Sequence, residues 1–388
     1  MENLRICNDE HGSGSYSGTC VEASTMNMDP VIWSKMPNHV LDHVLSFLPF
    51  WTILKLQCVS SKWRKNLKST VFLAKWVDNS PAEVLFLMFT DHWHIQAAAA
   101  YNPSLNKWHL VPLSHSSNVI HDYHMITAAG GLVCTEEVAW PNRALVISNP
   151  INRSYRKLPP MMDMKSPYVV GMMVNADRSG YRVLVAQDGD SLVSQHYDSK
   201  SNSWKMNSTL DSKVAMLAGM ATVKGFLFCL SFWPLGLIAY NIEEATWHDM
   251  EVKMPTSISS PHLIHNNGDL FLVAGVEEFG QMMTIQIWKV DFLCKECIKI
   301  EQMPDCFFQK FSWTVGGEHF SCMGEAGLVC FSDGVTLPIL MYNMNSSRWW
   351  WLPPCPLHLS SPKFLSKYAH NPLSPLGFPV QPCFVVKA

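Results

Sequence analysis

The chain has 388 residues, 48% of them hydrophobic, with a formal net charge of −3 and a pI near 6.6. That length suits one large domain with a small one beside it. The near-zero charge argues against a general nucleic-acid binder, which favours a basic face.

Residues 1–30 are polar, include the Ser/Gly run His11–Gly18 and have no apolar h-region. They read as a disordered tail and not as a secretory signal. An intracellular location follows, in nucleus or cytoplasm, where the twelve cysteines are expected to be thiols. Cys134, Cys229, Cys330 and Cys383 sit in apolar runs, where free cysteine acts as a small hydrophobe. The sequons at Asn152, Asn207 and Asn345 then carry no sugar. The loop GSGSYSG at 12–18 lacks both the preceding strand and the spacing of a phosphate loop.

Residues 33–67 hold two prolines and three short amphipathic segments. Pro37 fits the first turn of a helix, where its missing N–H costs nothing. Val40, Leu41, Val44, Leu45 and Leu48 follow at offsets 0, 1, 4, 5 and 8, one apolar stripe at period 3.6. Pro49 ends that helix. Thr52 is placed to cap a second helix carrying Ile53, Leu54 and Leu56. Ser60 or Ser61 is placed to cap a third, with Trp63 and Leu67 on one side and Lys62, Arg64, Lys65 and Lys68 toward water. A unit of this size rarely holds a core unaided. Cys58 is its single cysteine, so the apolar face is read as meant for another protein.

The opening Met36-Pro37, then Leu41, Val44-Leu45 and Leu48-Pro49, and the closing Val59-Ser60-x-Lys62-Trp63 resemble an F-box over about 40 residues. Met36 stands where leucine is commoner, a swap that roughly conserves volume. The resemblance assigns residues 31–75 to the F-box. It implies docking on the Skp-type adaptor of a cullin–RING ubiquitin ligase through Met36, Pro37, Leu41, Val44, Leu45, Leu48, Pro49, Val59 and Trp63.

Residues 81–388 read as β-structure: short Val-, Leu-, Phe- and Trp-rich segments between turns. Gly225–Ile242 runs without a charge, but Pro234 and Gly236 interrupt it, so two buried strands fit better than a membrane helix. A unit recurs in which an aromatic and an Asn or Asp are followed by a polar loop and a second aromatic. Tyr101-Asn102 leads to Trp108, Ser148-Asn149 to Tyr155, Tyr197-Asp198 to Trp204, Tyr240-Asn241 to Trp247 and Tyr342-Asn343 to Trp349. A degenerate copy, Val290-Asp291, reaches Ile298 in eight. The Asn/Asp positions are 47, 49, 43, 50 and 52 apart. The short polar side chain bonds the backbone two residues on and starts a turn, and the returning aromatic packs between sheets. Pro112, Pro159, Pro255, Pro304 and Pro353 follow where the chain leaves an edge strand. Small-residue turns separate the hairpins at Gly130-Gly131, Gly225, Gly268 and Gly327, and Gly316-Gly317 is a second glycine pair.

Serial sheet units of this length predict an all-β propeller of six blades, with five or seven blades or an unclosed β-sandwich as alternatives. The run Pro382–Lys387 is expected to pair with a strand at Glu83–Thr90 and close the ring, removing exposed sheet edges. Glycine turn, apolar strand, Tyr-Asp/Asn, polar loop and Trp resemble kelch repeats. Helical unit and repeats together resemble a plant-type F-box/kelch-repeat protein, implying a propeller that captures a target while the F-box holds the ligase.

Candidates for chemistry are few. Cys294-x-x-Cys297 lacks a second pair at zinc spacing. His39 and His43 are four apart, but HVLDH is not H-E-x-x-H, and they flank Asp42 and Ser46 on a polar face. His92, His94 and the segment His121–His124 read as loop. No metal, cofactor or catalytic residue is assigned, and no nucleic-acid or membrane partner. The expected function is a non-catalytic substrate adaptor acting by proximity, against a kelch-like propeller enzyme or a scaffold outside the ligase. In Trp349-Trp350-Trp351 alternation separates 350 from its neighbours. Trp350 is the candidate for target contact, on a face expected at a rim or inter-blade groove.

Overall fold

The computed structural model describes residues 31, 35–81, 83–89, 97–112, 122–139, 142–162, 168–187, 191–207, 209–210, 215–315, 320–332, 339–356 and 377–388. The predicted tail with its GSGSYSG loop, Gly316-Gly317, and His92, His94 and His121 lie outside the described residues, whereas residues 122–124, expected to be loop, begin a strand. The chain divides after Pro81 into two compact units.

The first unit contains α1 (Asn38–Ser46), α2 (Phe50–Leu56), α3 (Ser61–Leu67) and α4 (Thr70–Asn79). Pro37 and Pro49, each at φ −58°, stand immediately before α1 and α2. Thr52 therefore lies inside α2 and is not its cap, because Pro49 starts the helix earlier. Ser60 caps α3 by accepting from the Trp63 N–H at 3.2 Å, and Ser69 caps α4 through the Phe72 N–H at 3.2 Å. The sequence reading stopped at three helices. The β-branched and aromatic residues of TVFLAKWV hide the fourth, since their propensity favours strand.

The second unit is six four-stranded antiparallel sheets. The first joins β1 (Leu85–Phe89), β2 (Ala97–Asn102) and β3 (Lys107–Pro112). The second has β4 (Asp122–Ala129), β5 (Leu132–Ala139), β6 (Asn142–Asn149) and β7 (Ser154–Lys157). The third has β8 (Val169–Val174), β9 (Tyr181–Gln187), β10 (Val193–Asp198) and β11 (Ser203–Met206). The fourth has β12 (Ala215–Val223), β13 (Phe226–Trp233), β14 (Leu235–Asn241) and β15 (Thr246–Asp249). The fifth has β16 (Ile258–Asn266), β17 (Asp269–Glu278), β18 (Gln281–Asp291) and β19 (Glu296–Gln302). The sixth has β20 (Ser321–Glu325), β21 (Leu328–Ser332), β22 (Leu340–Asn343) and β23 (Arg348–Trp351). A last strand, β24 (Gly377–Val380), pairs with β1 and completes the first sheet. The innermost strands β24, β4, β8, β12, β16 and β20 neighbour one another in a closed circle. This is a six-bladed propeller.

The closing strand is not the predicted one. Gly377–Val380 pairs with β1, with Leu85 opposite Val380 and Met88 opposite Gly377. Glycine suits the crowded inner edge: a Cβ at 377 would stand 2.6 Å from the Leu87 carbonyl oxygen. The more apolar run Pro382–Lys387 carries no strand pairing and docks elsewhere. The Gly225–Ile242 run does form two strands, β13 and β14, with Phe226 opposite Asn241.

Every blade repeats one hairpin. Asn102, Asn149, Asp198, Asn241, Asp291 and Asn343 each accept from backbone N–H groups two or three residues on, at 2.7–3.3 Å. The residue four positions on (Asn106, Arg153, Asn202, Ala245, Lys295, Ser347) has φ between 47° and 59°. A non-glycine residue there costs about 1–2 kcal/mol, offset by the turn it completes. Tyr101 and Tyr197 return a hydroxyl to Asn106 and Asn202 at 2.7 and 2.8 Å. In four blades the two aromatics stand opposite each other across the hairpin: Tyr101 and Trp108, Tyr197 and Trp204, Tyr240 and Trp247, and Tyr342 and Trp349. In blade five Val290 faces Cys297, not Ile298, so the seven-residue spacing holds there too and a cysteine takes the tryptophan's place. Tyr155 departs from the pattern and is exposed.

The core lies between blades. Trp204 packs with Val170, Tyr181 and Val183 of its own blade and with Leu145 and Ile147 of blade two. Two prolines after the outer strands add a bond across the seam. Trp204 donates from its indole to the Pro159 carbonyl at 2.8 Å, and Trp108 to the Pro353 carbonyl at 2.7 Å. An unpredicted helix, α5 (Asp305–Val315), fills the connection from blade five to six with Phe308 and Phe311.

One seam is electrostatic. His265 at the end of β16 lies 3.2 Å from the Glu325 carboxylate at the end of β20. Gln381, just after β24, donates to the same carboxylate at 3.3 Å. The Glu325 hydrogen bond raises the His265 pKa above its usual 6.5, against the opposing effect of burial. Stabilisation from the charged pair is thus full below pH 6.5 and fades as pH rises through the raised value. Glu325→Gln is expected to lower the thermal midpoint at pH 6 and to lower it less at pH 9. An equal loss at both pH values, measured by thermal unfolding, refutes the ion-pair account.

Candidate functional site

In the helical unit the apolar residues divide into two sets. Leu45, Phe50, Ile53, Leu67, Phe72 and Trp76 are buried and form its own core. Trp76 lies 6.4 Å from Phe50 between ring centroids and donates from its indole to the Leu48 carbonyl at 2.9 Å. Asn79 reaches the Ser46 hydroxyl at 2.9 Å, and Asn66 the Asp42 carboxylate at 2.5 Å. The unit therefore draws on α4 for a core that the three predicted helices lack, and that core extends past residue 75.

The second set faces outward. Val40, Val44 and Phe47 recur at i, i+4 and i+7 along one side of α1, with Val44 40% and Phe47 52% exposed. Pro37 and Pro49 are exposed at the two ends of that stripe, and Val59 is 64% exposed before α3. Met36, Leu41, Leu48 and Trp63 are half-buried. Of the nine predicted docking residues, Leu45 is the one that is buried in the unit's own core. At 4% exposure it points into the helical core, about 100° round the helix from Val44. Phe47 is an exposed apolar residue of that stripe which the sequence analysis does not single out. Its place beside Leu48-Pro49 drew attention to the helix stop, although its spacing from Val40 and Val44 was legible.

The propeller candidates resolve differently. Trp350 is half-buried between blades six and one, packed with the cluster of Met88, Tyr101 and Cys330. Trp349 is buried and stacks on Tyr342 at 4.3 Å, and Trp351 lies under the Lys310 ammonium at 5.0 Å. Trp350 thus stands at the seam, half-buried against the cluster shared by blades six and one. Cys294 sits exposed in the blade-five turn, its thiol pKa raised by the neighbouring Asp291 carboxylate. Burial raises the Cys297 thiol to about 11. His39 and His43 are exposed on α1. Among the described residues no group of three or more His, Cys, Asp or Glu side chains could hold a metal ion. No described helix is long and apolar enough to cross a membrane.

Blade five carries exposed apolar side chains that sequence reasoning missed. Phe279 is fully exposed at the β17–β18 turn with φ 52°, followed by Gly280, and Met283 is exposed nearby in sequence. Leu293, Ile298 and Ile300 are exposed along the outer strand and its turn. An aromatic directly before a hairpin glycine is unusual, since that position favours Asn or Asp.

Residues 33–75 match the F-box domain family. The helical unit is an F-box. The resemblance continues beyond it. An F-box/kelch-repeat protein of Arabidopsis thaliana is 26% identical over 354 residues, covering 86% of this chain and 85% of the relative. Protein UNUSUAL FLORAL ORGANS of the same plant is 24% identical over 362 residues, covering 85% and 80%. F-box only protein 6, also from Arabidopsis thaliana, is 25% identical over 356 residues, covering 87% and 73%. The chain is thus an F-box joined to a six-bladed propeller and resembles plant F-box/kelch-repeat proteins over most of its length.

The F-box core makes Trp76 the residue to test. Trp76→Ala is expected to destabilise the unit by about 3–5 kcal/mol, enough to remove its helical circular dichroism while the propeller's unfolding transition persists. Retention of the helical signal refutes the assigned role.

Proposed function

We propose that the chain is the substrate-recognition subunit of an SCF (Skp–cullin–F-box) ubiquitin ligase. In this reading the F-box docks on a Skp-type adaptor and the propeller holds a target protein for ubiquitination. The chain does no bond chemistry; it raises the concentration of target lysines near the ubiquitin-loaded enzyme. The observation that carries this reading is the outward stripe Val40, Val44 and Phe47 on a unit whose core is already satisfied by Leu45, Ile53 and Trp76. An apolar stripe left over after the core is filled is the mark of an interface. The location proposed with it is intracellular, where the ligase works.

The separation of core from surface sets the experiment. Burying one such side chain stabilises by about 1.5–3 kcal/mol, so losing two weakens binding by about a hundredfold or more. Val44→Asp with Phe47→Asp is expected to abolish co-purification with a Skp-type adaptor while F-box helicity and the propeller stay folded. Stoichiometric adaptor binding by the folded double variant refutes the docking face. Leu45→Ala is the unsuitable choice, because it empties the core as well.

We assign target contact on the propeller to the β17–β18 turn. Phe279 supports this: an aromatic held in the left-handed region and fully exposed contributes nothing evident to the fold. Phe279→Asn suits the turn better. It is expected to leave the thermal midpoint unchanged or higher and adaptor binding intact, while changing the set of proteins ubiquitinated by the reconstituted ligase in a cell extract. An unchanged set removes the assignment.

A further inference from the structure

The residues that follow β24 are held by side chains of the second blade. Asn149, fully buried at the end of β6, donates from Nδ2 to the carbonyls of Cys383 and Val386, both at 2.8 Å. Asn152 donates from Nδ2 to the Val386 carbonyl at 2.8 Å and the Phe384 carbonyl at 3.3 Å. The Ala388 N–H donates to the Ser154 hydroxyl at 3.0 Å. All these contacts are to main chain, so they recognise the backbone of a segment bent at Phe384 and Val385 and not a side-chain code. Side-chain selection comes from burial: Cys383, Val386 and Ala388 enter the cluster of Leu132, Cys134 and Ile147. The β4–β5 turn is cut back to admit the segment. A Cβ on Gly131 would stand 2.7 Å from Cys383 Cβ and 2.8 Å from the Gln381 carbonyl oxygen.

We propose that Asn149, Asn152 and Ser154 with the pocket at Leu132–Cys134 form a peptide-binding site, which the chain fills in cis with its own residues 383–388. Its ligand class is a peptide bent in the middle, with small apolar side chains at the positions of Cys383, Val386 and Ala388. Because β24 belongs to the first blade and its continuation is bound on the second, the site ties the closing strand down from the neighbouring blade. The inference stands independently of the ligase reading.

The repeated turn supplies a clean variant. Asp198 and Asp291 build the same turn with a carboxylate where Asn149 has an amide. Asn149→Asp therefore keeps the turn, removes the donor and sets an anion against two carbonyls. The probe is N-ethylmaleimide labelling of the full chain, followed residue by residue, with buried Cys229 and Cys330 as internal references. Asn149→Asp and Asn152→Asp are each expected to speed labelling of Cys383 by about tenfold or more, with Cys229 and Cys330 unchanged. A synthetic peptide of residues 382–388 carrying Cys383→Ser, added in excess to the unaltered chain, is expected to speed Cys383 labelling saturably. The same peptide with Val386→Asp as well is expected to have no effect. Unchanged Cys383 labelling in both variants, or no effect of the first peptide, overturns the proposal. If Asn149→Asp speeds all three cysteines together, Asn152→Asp decides, and a uniform rise there also overturns it.

Discussion

Ring closure is the constraint on which the propeller depends. Each blade buries its apolar faces against its neighbours, so a ring open at one seam would leave two faces and a strand edge in water. The chain meets this by giving its first blade an inner strand from near residue 380, pairing Leu85 with Val380. Pairing over such a separation carries a large loop-closure cost. The seams on both sides of the joint are correspondingly reinforced. Gln381 and His265 converge on Glu325 on one side, and Asn149 and Asn152 take hold of the continuing chain on the other.

The hairpin repeated in every blade shows how such a ring is built from weakly similar sequence. One short polar side chain organises the turn, a residue in the left-handed region completes it, and the facing position delivers a bulky group to the seam. Blade five tolerates Cys297 at that facing position because the turn does not depend on it. It is the same blade whose surface carries exposed apolar residues. A scaffold that separates turn geometry from seam packing leaves individual blades free to diverge at their surfaces, where recognition concentrates.

The F-box shows a similar economy. Adjacent residues Val44 and Leu45 point about 100° apart on one helix, so a single short segment supplies both a core residue and an exposed apolar one. The fourth helix makes this possible. With Phe72 and Trp76 filling the interior, the outward stripe on α1 is not required for folding and stays available to a partner.

The sequence alone determined whatever rests on local chemistry. The Asn/Asp turns, the serine cap of α3 at Ser60 or Ser61 and the serial β-units follow from short-range bonding and period, and the F-box residues follow from spacing over a few turns, whereas the six sheets themselves decided the blade count. Tertiary structure decided what depends on distant partners. Gly377–Val380 closes the ring although Pro382–Lys387 is the more apolar run, and that run is bound by the Asn149 and Asn152 amides instead. Leu45 turned inward because α4 completes a core around it, and Trp350 stands half-buried at the seam that ring closure creates. Helix α4 and the exposed Phe279 were missed for a related reason. Propensity reports the average environment of a residue type, whereas burial is set by what the rest of the chain brings alongside.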